Sequence, residues 1–284
     1  MNKILVTGPT GNVGSEVFSR LVAKGAPAVA AAFNAEKARK QLGADAAIVP
    51  FDFTRPETFA AAFAGAEKMF LVRPPDIADV KKDIAPALAA AKEAGVKHVV
   101  FLSLLGVERN PIVPHRAIEK AVRESGMAWT FLRASFFMQN LSTTHRDDIR
   151  DRSDVFVPAG KGKTSFIDVR DIADVAVMAL TEPGHENKAY PLTGAVALTY
   201  DDVAREMTGV LGRPVRYSNP SPRNFGKEMR RRGTPLPFIL VMNGLYTVCR
   251  VGGAAQVTPD AGQLLGRKPI TLQQFVEDYK DTWM

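Results

Sequence analysis

Gly8-Pro9-Thr10-Gly11-Asn12-Val13-Gly14 stands between the apolar run Ile4-Leu5-Val6 and a segment from Asn12 to Lys24 that reads as a helix stopped by Gly25. A strand, a glycine-rich turn and a helix in that order suit one ligand chemistry. A pyrophosphate is bulky and doubly charged, and backbone amides at a helix N-terminus reach it only where no Cβ intervenes. In this reading Gly8 permits the tight turn, Gly11 the close approach and Gly14 the packing of helix on strand. Thr10 and Asn12 add hydrogen-bond donors, and Val13 adds its amide. The loop predicts a nicotinamide dinucleotide site.

Outward from the loop, short apolar runs alternate with helical segments. Strands are expected at Ala28–Phe33, Ala46–Val49, Met69–Val72, His98–Leu102, Trp129–Leu132 and Ala189–Leu192. Helices are expected at Ala35–Leu42, Pro56–Phe63, Ile77–Ala94, Pro114–Glu124 and Ile167–Leu180, with Gly95 and Gly126 as stops. The strands are apolar throughout rather than alternating, which means a parallel sheet covered on both faces. The fold class is α/β, a Rossmann-type doubly wound parallel sheet. After about residue 195 the pattern turns mostly helical, beginning with a Thr199-capped helix over Tyr200–Leu211. We therefore expect a dinucleotide-binding domain over residues 1–195 and a smaller, mostly helical substrate or lid domain over 196–284, with 151–165 as a further contribution to the latter.

Composition narrows the function. The chain has 284 residues, 46% of them hydrophobic, enough for a sizeable core. A net charge of +7 suits an anionic cofactor, and the basic residues are scattered without an interleaved aromatic platform, so no nucleic-acid partner is expected. Cys249 is the single cysteine, which excludes an intramolecular disulfide and fits a reducing, cytoplasmic setting. The N-terminus runs directly into a strand, leaving no room for a signal peptide, and the longest apolar stretch, Phe238 to Val248, is too short to span a bilayer. No membrane partner is expected. His98, His115, His145 and His185 lie far apart with no metal-ligand spacing, so no metal is expected.

The remaining candidates fall at strand ends, where such sheets bind ligands. An NAD-specific site places a carboxylate after the second strand. This chain has Phe33-Asn34-Ala35-Glu36-Lys37 there, so Asn34 and Lys37 are candidates for an NADP 2′-phosphate, with NAD the alternative. Asp52-Phe53 follows the third strand and either flanks the adenine or caps a turn. Val72-Arg73-Pro74 follows the fourth, beside the ribose or diphosphate, with a surface salt bridge as the other reading of Arg73. Ser103 and Leu104 end the fifth strand, and Leu105 follows. His115 and Glu119 share one helical face, either in the site or as a surface pair. Phe136, Phe137, Met138 and Asn140 follow the sixth strand, to line the nicotinamide and an aromatic substrate or, for Phe137 and Met138, to fill core.

These residues, together with Ala94-Gly95-Val96-Lys97-His98, Ser125-Gly126-Met127-Ala128-Trp129-Thr130-Phe131-Leu132-Arg133 and Phe166-Ile167-Asp168-Val169-Arg170-Asp171, resemble the NmrA-like atypical short-chain dehydrogenases. Within that family the chain looks most like bacterial quinone oxidoreductases, triphenylmethane dye reductases and azoreductases. The resemblance implies an NADP-binding domain, a small C-terminal domain and a substrate cleft between them, in a monomer or homodimer. Two departures stand out. None of the five tyrosines has the lysine four residues on that standard short-chain dehydrogenases use, and His115 and Glu119 take that place on the helix. Phe33 stands where the quinone and dye reductases often carry arginine against the 2′-phosphate. A quinone, azo bond or triarylmethane cation is already electrophilic, so hydride delivery to it needs chiefly proximity and a dry wall. The expected activity is NADPH-dependent hydride transfer to such an aromatic acceptor, with His115 and Ser103 as candidate catalytic groups. The alternative is a non-catalytic redox sensor that binds NAD(P) and docks a protein partner.

Overall fold

Strand β1 (Lys3–Thr7) is buried at four of its five positions, so neither face meets water. Strands β2 (Ala28–Ala32), β4 (Ala66–Leu71), β5 (His98–Leu104) and β6 (Ala128–Ala134) are covered in the same way. In the computed structural model, which describes residues 3–284, these strands join β3 (Ile48–Pro50) and β8 (Lys188–Leu192) in one seven-stranded parallel sheet. Its order is β3-β2-β1-β4-β5-β6-β8. Winding runs one way from β1 through β2 to β3 and the other way from β4 onward. The loop after β1 therefore sits at the reversal point, where a parallel sheet opens a crevice at its strand ends.

Helices cover the sheet. α1 (Asn12–Ala23) packs along α7 (Val169–Thr181). α3 (Phe59–Phe63), α4 (Ala85–Glu93) and α5 (Pro114–Glu124) share a core with Leu5, Met69, Leu71, Val99, Phe101 and Phe131, the alternate residues of the central strands. α2 (Ala35–Leu42) flanks β2 and β3. The long helix expected from Ile77 starts late. A wide π turn occupies Val80–Ile84 before α4 begins, because Pro86 has no amide to close onto the carbonyl of residue 82.

By contacts the chain divides into two compact units. The first holds the residues up to Ala134 together with Val169–Leu192; the second holds Ser135–Asp168 and Thr193–Met284. The sequence suggested one boundary at 195 with a small contribution from 151–165. The structure assigns all of 135–168 to the second unit, because the chain leaves the sheet after β6 and returns to it only with α7 and β8.

The second unit builds its own core. It contains α6 (Arg146–Arg152), a two-stranded parallel ladder of β7 (Asp154–Val155) and β9 (Arg216–Tyr217), then α8 (Tyr200–Leu211), α9 (Pro222–Arg231), α10 (Leu236–Arg250), α11 (Asp260–Leu265) and α12 (Leu272–Asp278). Met207, Phe225, Tyr246, Phe275 and Trp283 fill its centre. The capping box expected at α8 is present: the Asp202 amide donates to the Thr199 hydroxyl at 3.1 Å and the Thr199 amide to the Asp202 carboxylate at 2.9 Å. Among the described residues no helix is long and apolar enough to cross a membrane, and no group of three His, Cys, Asp or Glu side chains is placed to hold a metal.

Two helical glycines separate packing from propensity. A Cβ on Gly14 would lie 2.1 Å from the Gly8 carbonyl oxygen, whereas one on exposed Gly209, inside α8, would meet nothing. Gly14→Ala is expected to cost about 2 kcal/mol through overpacking. Gly209→Ala is expected to stabilise by about 0.5–1 kcal/mol through helix propensity. Thermal midpoints of the two variants, moving in opposite directions, check both.

Candidate functional site

The turn after β1 is clamped before it reaches the helix. The Thr7 hydroxyl donates to the Phe70 carbonyl at 3.1 Å and accepts the Val72 amide at 2.8 Å, which ties the ends of β1 and β4 together. Gly8 then turns with φ +60°, and a Cβ there would stand 3.2 Å from that of Val72. Gly11 is the N-cap of α1. No side chain caps that terminus, and no acidic residue sits in its first turn. Gly8, Gly11 and Asn12 are exposed, while the Val13 side chain is in the core, so only its backbone faces the turn. The result is a positive helix end at the sheet's reversal point that no side chain caps. Free backbone amides at a helix start are the chemistry a diphosphate requires, and side chains at Gly8 or Gly14 would disturb the turn by meeting Val72 or the Gly8 carbonyl. One support was not foreseen. Gln41 of α2 donates to the Thr10 carbonyl at 3.1 Å, a contact that depends on α2 folding back over the turn and that no spacing in the sequence marks.

At the end of β2, Phe33 is 80% exposed. Asn34 caps α2, its side-chain oxygen accepting the Lys37 amide at 2.8 Å. Lys40 pairs with Glu36 at 2.9 Å and Arg39 donates to the Ala44 carbonyl, whereas exposed Lys37 makes no ion pair among the described residues. Of the two readings of Asp52, the turn cap is present: its carboxylate accepts both the amide and the hydroxyl of Thr54 at 2.8 Å. The Phe53 ring is buried against Phe51, centroids 4.7 Å apart, so Phe53 offers a ligand only its backbone. Arg73 is not a surface ion-pair partner. It curls over its own loop and donates to the carbonyls of Pro74, Pro75 and Ile77 at 2.6–3.0 Å, and its Nε is buried without a partner.

The inner strand ends hold a charged triangle. Ser103 on β5 and Arg133 on β6 are register partners. Glu119 of α5 lies over both, accepting the Ser103 hydroxyl at 2.7 Å and the Arg133 guanidinium through two bonds of 3.0 and 2.8 Å. Glu108 reaches Arg133 at 3.3 Å from the other side. Ser103 is 1% exposed and its proton is committed to Glu119, which removes it as a group that touches a ligand. Of the two readings of His115 and Glu119, the surface pair is not what forms, because Glu119 is engaged in this triangle. His115 instead stacks on Phe101, centroids 5.8 Å apart, with Nδ1 buried and unpartnered. Burial, and then the Arg73 charge, push its pKa down to about 4, so the ring is neutral at physiological pH.

Phe136, Phe137, Met138 and Asn140 belong to the second unit. Phe136 leans on that unit's core and Met138, 3% exposed, is part of it; Phe137 and Asn140 are half-buried. Beside Met138 lies a cavity of about 260 Å³, lined also by Phe166, Leu198, Ile270 and Glu206. Burial, then Asp202, raises the Glu206 pKa.

A doubly wound sheet with a bare glycine turn at its reversal point defines the Rossmann class of dinucleotide-binding folds. The sequence pattern of the NmrA-like family matches residues 1–276, and the chain belongs to that family. It is 39% identical over 280 residues to an NAD(P)H azoreductase of Xenophilus azovorans, covering 96% of each chain. Its fold matches the triphenylmethane reductase of Citrobacter sp. complexed with NADP(H) at a TM-score of 0.86 and 28% identity, over 97% of this chain and 99% of the other. It matches the NADPH-dependent quinone oxidoreductase of Escherichia coli complexed with NADPH at 0.87 and 27%, over 98% and 99%.

Two outcomes follow from the buried groups. Removing the carboxylate in Glu119→Gln leaves half-buried Arg133 only the exposed Glu108 as a charge partner and is expected to cost roughly 1–2 kcal/mol in a denaturant titration. Burial also holds the pKa values of His98 and His145 at about 4. With His115 they are neutral when folded, and they titrate near 6.5 when unfolded. Their stabilising contribution is complete above pH 6.5 and is lost as pH falls toward 4. At pH 5.5 unfolding is expected to take up roughly three protons through these histidines, read from the slope of unfolding free energy against pH.

Proposed function

We propose that this protein is an NADPH-dependent reductase of small electrophilic aromatic acceptors of the quinone, azo or triarylmethane type, with NADH admitted as a poorer coenzyme. The observation that carries the reading is the uncapped N-terminus of α1 at the sheet's reversal point. The coenzymes and acceptors in the names of its relatives support it. In this reading the backbone of Gly8, Gly11, Asn12, Val13 and Gly14, with Thr10, holds the diphosphate. Phe33, Asn34 and Lys37 meet the adenosine end. Asp52 and the Phe53 backbone border the adenine, and Val72, Arg73, Pro74 and Leu104 border the inner half of the coenzyme.

The coenzyme supplies a hydride when bound. The chain's part is to bind, orient and keep the path dry. Leu105, Phe136, Phe137, Met138 and Asn140 form the acceptor's surroundings in this proposal. A neutral His115 donates or accepts a hydrogen bond at an acceptor oxygen or nitrogen but carries no spare proton at neutral pH. The proton that accompanies reduction of a quinone therefore comes from water. Acceptors that are already electron-poor need no positioned acid, which is why a fold without the Tyr-x-x-x-Lys pair suffices. Ser103 serves as a positioning residue: through Glu119 it anchors the helix that presents His115.

The test follows NADPH absorbance with a simple benzoquinone, an azo dye and a triarylmethane dye. Turnover of at least one is expected, whereas saturable coenzyme binding without turnover of any would overturn the reading in favour of a sensor. Phe33→Arg would add a cation for the 2′-phosphate and is expected to raise the NADPH-over-NADH ratio of kcat/KM by about tenfold. An unchanged ratio would remove residue 33 from the adenosine end.

A further inference from the structure

α10 contains no acidic residue, and Arg250 at its last position is its single charge. Ile239, Met242, Tyr246 and Cys249 bury one side of it in the core. The opposite side consists of Phe238, Leu240, Val241, Leu245 and Val248, each between 43% and 62% exposed. A contiguous exposed apolar face of this kind marks an interaction surface. With fifteen residues α10 is about 22 Å long, too short to cross a bilayer but long enough to lie along one.

The neighbouring helix supplies the charge. α9 crosses α10 at Gly226, where a Cβ would stand 3.4 Å from the side chains of Ile239 and Asn243. Phe225 and Met229 bury the inner side of α9. Arg223, Lys227 and Arg230, at i, i+4 and i+7, form its exposed outer side. The acid of α9, Glu228, is already bonded to Arg152, Arg231 and Arg232, and those guanidinium groups hold its pKa far below the ordinary carboxylate range. It does not neutralise the outer row. An apolar helix face thus adjoins a row of cations, on a chain whose net charge is +7.

We propose that this face of α9 and α10 seats on an anionic lipid surface, with the apolar side of α10 in the headgroup–acyl boundary and Arg223, Lys227 and Arg230 against acidic headgroups. Of the available occupants, a lipid surface offers both apolar depth and negative charge. A second copy docked through α10 would cover the apolar face but bring no acid from its own α9 or α10, because Glu228 is already bonded. A nucleic acid offers the charge without the apolar phase. No described helix is long and apolar enough to cross a bilayer, and this surface requires only lateral contact.

The test is flotation of the full chain with vesicles of phosphatidylcholine alone or with about one-third phosphatidylglycerol. Binding to the anionic vesicles is expected, weakened by added salt. V241E/L245E and R223E/R230E are each expected to lower partitioning by about 30-fold, with thermal midpoints unchanged because all four side chains are exposed. Three results would overturn the proposal: no binding to anionic vesicles, equal partitioning of wild type and variants, or a wild-type dimer that V241E/L245E dissolves, which would make the face a copy-to-copy contact.

Discussion

The first turn of α1 comes so close to the Gly8 carbonyl that no side chain fits between them. This contact between backbones sets the angle at which the helix leaves the sheet, and so where its unpaired amides point. The Thr7 hydroxyl holds the other side of the turn by bridging β1 to β4, the two strands that flank the reversal of winding. Neither partner in the contact can be larger than glycine, and the helix end it leaves has no side-chain cap. A structure that tolerates an uncapped, partly positive terminus at an open crevice is arranged for an anion rather than for its own stability.

The charged triangle of Ser103, Glu119 and Arg133 does a different task. It commits the Glu119 carboxylate to a structural ion pair and the Ser103 hydroxyl to that carboxylate. His115 stays outside the triangle, stacked on Phe101 and kept neutral by burial and by Arg73. A neutral imidazole is a weak proton donor, and this is the property on which the proposed preference for electron-poor acceptors rests.

Most of the sheet was legible because strands covered on both faces have no polar alternation to blur them, and because glycines such as Gly25, Gly95 and Gly126 take the left-handed conformation that ends their helices. The glycine turn was legible for the same reason: its chemistry is backbone chemistry, and glycine advertises it. Side-chain direction at the strand ends was not. Phe53 and Ser103 both lie where a ligand-facing residue is expected, yet each points into the protein: Phe53, in the turn beyond β3, packs on Phe51, and Ser103, next to last in β5, takes the face of the pleat that meets Glu119. The stretch from 135 to 168 was opaque because its short irregular elements carry neither helical nor strand periodicity, so its departure into the second unit left no mark. The exposed face of α10 was hidden in the opposite sense: a run apolar on every side reads as core, and only the fold shows that half of it is uncovered.

The central claim is that the amides opening α1 grip the coenzyme's diphosphate. It is tested most directly by following the backbone amide resonances of Gly11, Asn12 and Val13 in isotope-labelled protein while NADP is added. The account predicts large, saturable shifts at these three positions, among the largest in the chain. Saturation elsewhere with these amides unmoved would contradict it.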